Sequence, residues 1–155
     1  MAHKRGVEMT ADEVAALVAE QRTVTLATIG PDGLPHLAGM WFAPDGEDLL
    51  MWTYRGSQKT RNVERDPRAS VLAETGTGYD ELRGVCLDCS VELIRDPEQV
   101  LAIGRALLGR NFGIDQDAPG VEDGVRAQAG KRVGLRLRPV RTRSWDHRKL
   151  RAPAG

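Results

Sequence analysis

The residues best suited to chemistry lie where an apolar strand gives way to a helix, in the segment Leu49–Asn62. The strand ends at Tyr54, Gly56 turns the chain, and Ser57 stands at the expected N-cap of the helix. Lys59 and Arg61 follow in its first turn. Unpaired backbone N–H groups, the positive end of a helix dipole, a hydroxyl and cations therefore meet at one place. This combination predicts an anion site, and phosphate is the anion that it suits best.

The cations of the chain also allow plainer interpretations. Lys59 and Arg61 could be ordinary solvated charges on an exposed helix. Further along, Arg132, Arg136 and Arg138 alternate with apolar residues on a predicted strand. Such arginines usually form the wet face of a sheet, and the alternative is a positive groove for an acidic ligand tail. The sequence leaves both questions open.

Other catalytic and metal-binding patterns are scarce. Cys86 and Cys89 are spaced as CxxC, but they lie in a run of apolar residues with a period of two. Residues three apart on a strand point to opposite faces, so this pattern disfavours a redox pair or half of a metal site. No nucleophile motif, Walker lysine or dinucleotide-binding glycine motif is present. We therefore assign no catalytic side chain and no metal ligand; His36 is a weak candidate for a proton donor.

Composition limits the function classes. With 155 residues and 41% apolar residues, the chain is expected to form one domain over residues 1–155. The 22 basic and 22 acidic residues balance, so no overall field argues for nucleic acid as a partner. No apolar run is long enough to span a membrane, and Met1–Val7 does not resemble a signal peptide. We therefore expect a cytoplasmic protein with no membrane partner.

The order of elements predicts an α+β fold that is mainly β. Proline, aspartate and glycine turns join the first strands, which indicates an antiparallel meander rather than a βαβ unit. Strands are predicted at Thr23–Ile29, His36 to about Ala43, Leu49–Tyr54, Ala69–Ala73, Arg83–Ile94 and Arg132 to about Arg143. Helices are predicted from the Thr10 cap to about Glu20, at Gln58–Asp66, from the Asp96 cap to about Gly109, and at Val121–Ala129. Six strands of this kind suit a small antiparallel barrel with helices packed around it.

Some segments carry more detailed expectations. The second strand is apolar on both faces, which predicts a central strand that is buried on both sides. A mobile loop is expected over Asn111–Gly120. The segment Ser144–Leu150 is too specific in composition for a disordered end, whereas Arg151–Gly155 is expected to be disordered.

Several short motifs occur in an order typical of one protein family. They are Ala27-Thr28, Asp32-Gly33-Leu34-Pro35, Leu50-Met51-Trp52-Thr53, Ser57-Gln58-Lys59 and Asp66-Pro67-Arg68-Ala69. From Thr23 to Leu150 the chain resembles the pyridoxamine-phosphate oxidase-like split-barrel flavoproteins. The segments Lys59–Val63, Leu82–Val85 and Ser144–Lys149 resemble one branch, the deazaflavin (coenzyme F-420)-dependent oxidoreductases.

The resemblance implies a six-stranded antiparallel split β-barrel that forms a homodimer, with two cofactor sites at the interface. The cofactor would be coenzyme F-420, with FMN as the alternative, and it would pass a hydride to an unsaturated small-molecule substrate. The implied cofactor-binding residues are Ser57, Gln58 and Lys59 at the phosphate, Met40, Trp41, Phe42, Trp52 and Thr53 at the ring, and Trp145 across the interface. A non-catalytic protein that binds haem, another tetrapyrrole or the cofactor itself is the remaining alternative.

Two departures from the family pattern matter. An arginine that helps to hold the flavin in true pyridoxamine-phosphate oxidases falls at about Ala38 here. The substrate-binding Arg/His motif of those enzymes does not match Trp145–Lys149 either. These departures argue against oxidation of vitamin B6, and the first is compatible with a deazaflavin.

Overall fold

A computed structural model describes residues 6–151 of the chain. Four α-helices and seven strands follow one another, with two 3₁₀ turns at Tyr79–Glu81 and His147–Arg151. The helices are α1 (Ala11–Glu20), α2 (Gln58–Arg65), α3 (Pro97–Phe112) and α4 (Val121–Ala129). The strands are β1 (Thr23–Ile29), β2 (Pro35–Trp41), β3 (Ala43–Asp45), β4 (Asp48–Tyr54), β5 (Arg68–Thr75), β6 (Arg83–Ile94) and β7 (Arg132–Asp146).

All seven strands belong to one antiparallel sheet in the order β2-β1-β5-β6-β7-β4-β3. The sheet curls into a half-barrel around a core that includes Leu26, Met51, Val71, Leu87 and Leu135. The α+β class and the antiparallel split-barrel architecture predicted from the sequence are thus confirmed. Across residues 6–151, no helix has the length and apolar character that crossing a membrane requires.

The strand count is seven rather than six, because the chain breaks within the predicted second strand. Residues 36–43 were expected to form one strand, but β2 ends at Trp41 and β3 begins at Ala43. Phe42 lies between them and is fully buried. The side chain of Phe42 turns into the barrel core, so the two short strands pair with different neighbours, β1 and β4.

The expected position of this strand was wrong. β2 forms an edge of the sheet rather than its centre. Its inner face does reach the core through Met40, but Leu37 is 64% exposed and Trp41 is 46% exposed on the other face. Apolar residues on both faces of a strand show that burial of each face is favourable. They do not show that the same chain supplies the residues that bury it.

The ends of several elements also differ from expectation. α3 runs to Phe112 and ends at Gly113, whose φ of 60° suits a residue without a side chain. The start of the expected Asn111–Gly120 loop is therefore helical. β7 continues to Asp146, so the segment expected to be ordered after Arg143 begins as strand and continues as a 3₁₀ turn from His147. Arg151 lies in a 3₁₀ turn rather than in a disordered end, and residues 1–5 and 152–155 lie outside the described part.

A second, smaller core lies between the outer face of the sheet and the helices α3 and α4. It contains Leu101, Ile103, Leu107 and Val125, with Trp52 packed against it. β4 therefore separates two environments, because successive side chains of a strand point to opposite faces. Leu49 and Met51 enter the barrel core, whereas Leu50 and Trp52 face α3.

Candidate functional site

The strand-to-helix junction predicted to bind an anion is built as the sequence suggests. Ser57 is the N-cap of α2 and its hydroxyl accepts from the Thr60 backbone N–H at 3.3 Å. Thr53 Oγ1 donates to the same hydroxyl at 3.3 Å, which ties the cap to the end of β4. Within residues 6–151 the backbone N–H groups of Gln58 and Lys59 have no acceptor, as is usual for the first positions of a helix.

Buried hydrogen bonds hold α2 in this position. Thr60 and Asn62 are fully buried on the face that the helix turns toward the barrel. Thr60 Oγ1 donates to the Tyr54 carbonyl at 3.0 Å, and Asn62 Nδ2 donates to Thr28 Oγ1 at 3.0 Å. Gln58 Nε2 in turn donates to Asn62 Oδ1 at 2.8 Å. The first turn of the helix is thus fixed to β4 and β1 by satisfied polar groups rather than by apolar packing.

Sequence reasoning missed Thr28 and Thr60 and left the contacts of Asn62 unassigned. A signal was available, because α2 offers only one buried apolar side chain, Val63. A helix that packs on a barrel with so few apolar residues needs another means of attachment. The polar residues beside Val63 were therefore candidates for buried hydrogen bonds.

The charges of α2 differ from those of the other helices. Acidic residues stand in the first turns of the other three, where they complement the positive end of the helix dipole. They are Asp12 and Glu13 in α1, Glu98 in α3, and Glu122 and Asp123 in α4. The first turn of α2 has no acidic residue and contains Lys59 instead.

Lys59 is half-buried and has no carboxylate partner in the described part of the chain. A cation near the positive end of a helix is unfavourable unless an anion binds beside it. A phosphate group would therefore find suitable partners here: the charge of Lys59, the free N–H groups of the first turn and the Ser57 hydroxyl. We call these residues, Ser57, Gln58 and Lys59, the α2 cradle.

The residues expected along the cofactor ring are divided between different surroundings. Met40 and Phe42 are buried in the barrel core, and Arg110 lies 4.5 Å over the Phe42 ring. Trp41 alone among these three is exposed, and its ring meets that of Phe112 edge-on at 4.8 Å between centroids. Of Met40, Trp41 and Phe42, only Trp41 offers a surface to a ligand.

Trp52 and Thr53 lie on opposite faces of β4. Thr53 is buried and contacts the α2 cradle through its hydrogen bond to Ser57. Trp52 packs against α3, where a Cβ at Gly104 would lie 2.4 Å from its ring. The structure does not bring Trp52 together with the α2 cradle, and the period of two along a strand could have shown this from the sequence.

Trp145 lies near the end of β7 and packs over Gly84 of β6. A Cβ at Gly84 would stand 2.1 Å from the Trp145 ring, so glycine is required beneath it. The neighbouring Asp146 is buried and pairs with Arg148 at 2.7 Å, which lowers the pKa of the carboxyl group. The role of Trp145 across an interface stays a prediction.

The three alternating arginines of β7 do not form one groove. Arg136 pairs with Asp45 at 2.9 Å and with Asp48 at 3.0 Å, and Arg138 pairs with Glu92 at 2.6 Å. Arg132 instead lies over the rings of Trp52 and Tyr54. Two of the arginines are therefore neutralised within the chain, and only Arg132 lacks a carboxylate among the described residues.

The two cysteines are free and face opposite sides of β6, as their alternation predicts. Cys89 lies in the barrel core, where burial raises the pKa of its thiol to about 12. Cys86 is half-buried on the outer face, 3.0 Å from Arg143 Nη2. Among residues 6–151 no group of three or more His, Cys, Asp or Glu side chains could hold a metal ion.

His36 lies opposite Thr28 in the register of β1 and β2. Its Nδ1 atom is buried and has no hydrogen-bond partner in residues 6–151. A role as proton donor is neither supported nor opposed by a contact, and it stays a prediction.

Comparison with known proteins agrees with this architecture. The family model described as pyridoxamine 5'-phosphate oxidase matches residues 10–146. A conserved hypothetical protein, Rv2991 from Mycobacterium tuberculosis, is 41% identical with a TM-score of 0.90, over 100% of this chain and 96% of that one. An F420 reductase is 27% identical with a TM-score of 0.64, over 83% of this chain and 94% of that one.

A more distant neighbour has the same fold. The heme storage protein HutZ from Vibrio cholerae is 20% identical with a TM-score of 0.67, over 87% of this chain and 94% of that one. At this identity the likeness shows the fold alone. The family model, in contrast, spans the α2 cradle and nearly the whole sheet. The chain therefore belongs to the pyridoxamine 5'-phosphate oxidase family.

Proposed function

We propose that this protein is a coenzyme F-420-dependent oxidoreductase whose α2 cradle binds the phosphate of the cofactor. The observation that carries the proposal is the half-buried, unpaired Lys59 in the first turn of a helix that has no acidic residue there. The likeness to an F420 reductase over 83% of this chain supports coenzyme F-420 in particular. By the family resemblance, the flavin-binding arginine of true pyridoxamine-phosphate oxidases falls at about Ala38, and its loss is compatible with this choice.

The chemistry would need few acid–base side chains, since the bound deazaflavin supplies the hydride from its ring. The protein's own residues bind and orient. Lys59 neutralises phosphate charge, and the N–H groups of Gln58 and Lys59 donate to its oxygens. Because buried hydrogen bonds from Thr60 and Asn62 fix α2, the phosphate would be held in one place relative to the barrel.

A second copy of the chain would complete the site. The exposed face of the edge strand β2 carries Leu37 and Trp41, and Leu34 precedes it with 66% of its surface exposed. An edge strand with exposed apolar side chains of this kind suits an isologous contact between two chains. In the proposed homodimer this contact would cover Trp41, exclude water from the ring and bring Trp145 of one chain to the site of the other.

The proposal is tested by titrating the purified protein with coenzyme F-420 and, separately, with FMN, while absorbance and fluorescence are recorded. We expect saturable binding of coenzyme F-420. Lys59→Ala should weaken it by roughly 1.5–3 kcal/mol, or about 10- to 150-fold in dissociation constant. Arg61→Ala is the matched comparison, because Arg61 is an exposed cation on the same helix that also has no carboxylate partner among residues 6–151. A smaller loss of affinity in Arg61→Ala than in Lys59→Ala would assign the phosphate to Lys59.

The possible outcomes distinguish the proposed function from its alternatives. Absence of saturable binding of coenzyme F-420 at micromolar concentration contradicts the proposal, and tight FMN binding then favours the FMN-dependent alternative. An unchanged dissociation constant in Lys59→Ala would place the phosphate elsewhere. Binding without turnover of any unsaturated substrate in a reductase panel would favour a non-catalytic cofactor-binding protein.

A further inference from the structure

A cleft on the outer side of β4, remote from the barrel core, is lined by arginines. Its volume is about 140 Å³, and it lies where the end of β4 meets the start of α3, the end of α4 and the start of β7. Its charged lining consists of Arg55, Arg95, Arg126 and Arg132. The remaining lining is mostly apolar and consists of Pro97, Val100, Leu101, Ala129 and Gly130.

Two of these arginines are already neutralised. Arg126 pairs with Glu98 at 2.8 Å and with Glu122 at 2.9 Å, and Arg95 pairs with Glu64. Such pairs hold the side chains around the cleft and leave little net charge. The binding capacity of the cleft therefore depends on the other two arginines.

Arg55 and Arg132 have no carboxylate partner among the described residues. Arg55 donates to the Gly130 carbonyl, a neutral acceptor. Arg132 lies 4.7 Å from the centroid of the Trp52 ring and 4.2 Å from that of Tyr54, and it donates to Gln128 Oε1 at 3.1 Å. Its Nε atom is buried and has no partner within residues 6–151.

The aromatic contacts of Arg132 preserve its charge. A guanidinium over aromatic rings keeps its positive charge, and the N–H groups at its edge stay able to donate hydrogen bonds. Arg55 and Arg132 therefore present two positive groups at a cleft with an apolar floor, where Val100 and Leu101 are each 1% exposed. A hydrogen bond from such a charged group is stronger than one between neutral groups.

We infer that this cleft binds a small molecule that carries an aryl or short alkyl group and one phosphate or carboxylate group. A cavity of about 150 Å³ with an apolar lining accommodates a benzene ring in a known case, so the volume suits a single ring. The ring would lie against Pro97 and Ala129, above the buried side chains of Val100 and Leu101, and the anionic group would meet Arg55 and Arg132. The cleft lies on the face of β4 opposite Thr53, so this site does not depend on the cofactor proposed above.

The test uses phenyl phosphate as the probe and follows backbone amide resonances of the full-length protein by two-dimensional NMR. We expect saturable shifts at Leu101, Gly130 and Arg132. Phenol lacks the charge and inorganic phosphate lacks the ring, so each should bind at least tenfold more weakly than phenyl phosphate. No saturable shift at these amides would overturn the inference.

Variants locate the charge that is responsible. Arg132→Gln and Arg55→Gln should each weaken phenyl phosphate binding by roughly tenfold or more. Arg55 is exposed, so Arg55→Gln keeps the test valid even if Arg132→Gln loses its packing against Trp52. Arg138→Gln is the matched control, because Arg138 is a β7 arginine that pairs with Glu92. Equal affinity in the Arg55, Arg132 and Arg138 variants would contradict the assignment.

Two further variants test whether the probe uses the apolar floor of the cleft or binds at the α2 cradle. Ala129→Leu fills the cleft without changing its charge, and it should abolish the preference for phenyl phosphate over inorganic phosphate. Lys59→Ala should leave the shifts at Leu101 and Gly130 unchanged, even if it weakens the cofactor. Loss of those shifts in Lys59→Ala would show that the probe occupies the α2 cradle instead.

Discussion

The charged side chains at the two ends of α2 differ in whether they have a partner of opposite charge. At the C-terminal end, Asp66 pairs with Arg68 at 2.7 Å, and Glu64 pairs with Arg95. At the N-terminal end, Lys59 is half-buried and has no carboxylate partner in the described residues. The same short helix thus ends in closed surface pairs on one side and begins with an open cation on the other.

This difference separates charges that the fold pairs within itself from a charge that it leaves available to the proposed ligand. Exposed pairs such as Asp66–Arg68 satisfy themselves and contribute little free energy. A lysine beside the positive end of a helix dipole is unfavourable for the empty fold. The buried hydrogen bonds of Thr28, Thr60 and Asn62 offset this unfavourable interaction. The network should therefore matter far more to stability than the surface pairs.

The largest effect is expected at Asn62, which bonds to Thr28, Gln58 and Arg65. Asn62→Ala removes these bonds and leaves buried polar atoms without partners. We expect the free energy of unfolding to fall by roughly 2–4 kcal/mol, measured by urea denaturation. The exposed neighbour provides the control, since Arg61→Ala should change it by less than about 0.5 kcal/mol. A wild-type urea midpoint in Asn62→Ala would mean that packing, not this network, holds α2.

The next largest effect is expected at Ser57, which caps α2 and also belongs to the α2 cradle. Two substitutions distinguish these roles. Ser57→Ala should lower the free energy of unfolding by about 1 kcal/mol, whereas Ser57→Gly should lower it by only a few tenths of a kcal/mol. Both variants lack the hydroxyl, so both should weaken coenzyme F-420 equally. The measurements are urea denaturation and cofactor titration in parallel. Affinities that followed the two stabilities instead would show that Ser57 acts on the ligand only through the cap.

The sequence predicted what depends on local chemistry. The capping box formed by Thr10 and Glu13 is present, with bonds of 3.2 and 2.7 Å. The alternation of Val133, Leu135 and Leu137 correctly placed all three in the buried interior. The Ser57 cap also follows from its neighbours alone. In each case the decisive contacts join residues a few positions apart, or depend only on which face of a strand is apolar.

The remainder depends on contacts between distant segments. Asn62 and Thr28 are 34 positions apart, and only the packing of α2 onto β1 brings them together. The edge position of β2 was missed because alternation reports a need for burial but not what supplies it. The pairing of Arg136 with Asp45 and Asp48 likewise depends on the β4–β7 register. Residue types identified the α2 cradle, whereas the outer cleft required the assembled fold.

A smaller effect is expected at the Glu64–Arg95 pair, whose side chains are 46% and 51% exposed. Glu64→Gln should change the free energy of unfolding by less than about 0.5 kcal/mol, because exposed ion pairs contribute little. It also releases Arg95, which lines the outer cleft, so phenyl phosphate should bind somewhat more tightly. Urea denaturation and the NMR titration measure the two effects. Weaker phenyl phosphate binding in Glu64→Gln would show that the pair is needed to shape the cleft.

The smallest effect concerns pH and the pairing of Asp66. The Arg68 guanidinium and backbone N–H donate to this carboxylate, which lowers its pKa from 3.8 to about 2. Because the pKa in the folded state lies below that in the unfolded state, folding favours the ionised form. The stabilisation is therefore complete above the unfolded pKa of 3.8 and is lost as pH falls toward about 2. Asp66→Asn should lower the urea midpoint slightly at neutral pH, and this difference from wild type should shrink across that window. A difference that stays constant down to pH 2 would show that the side chain acts through backbone geometry at the end of α2 rather than through its charge.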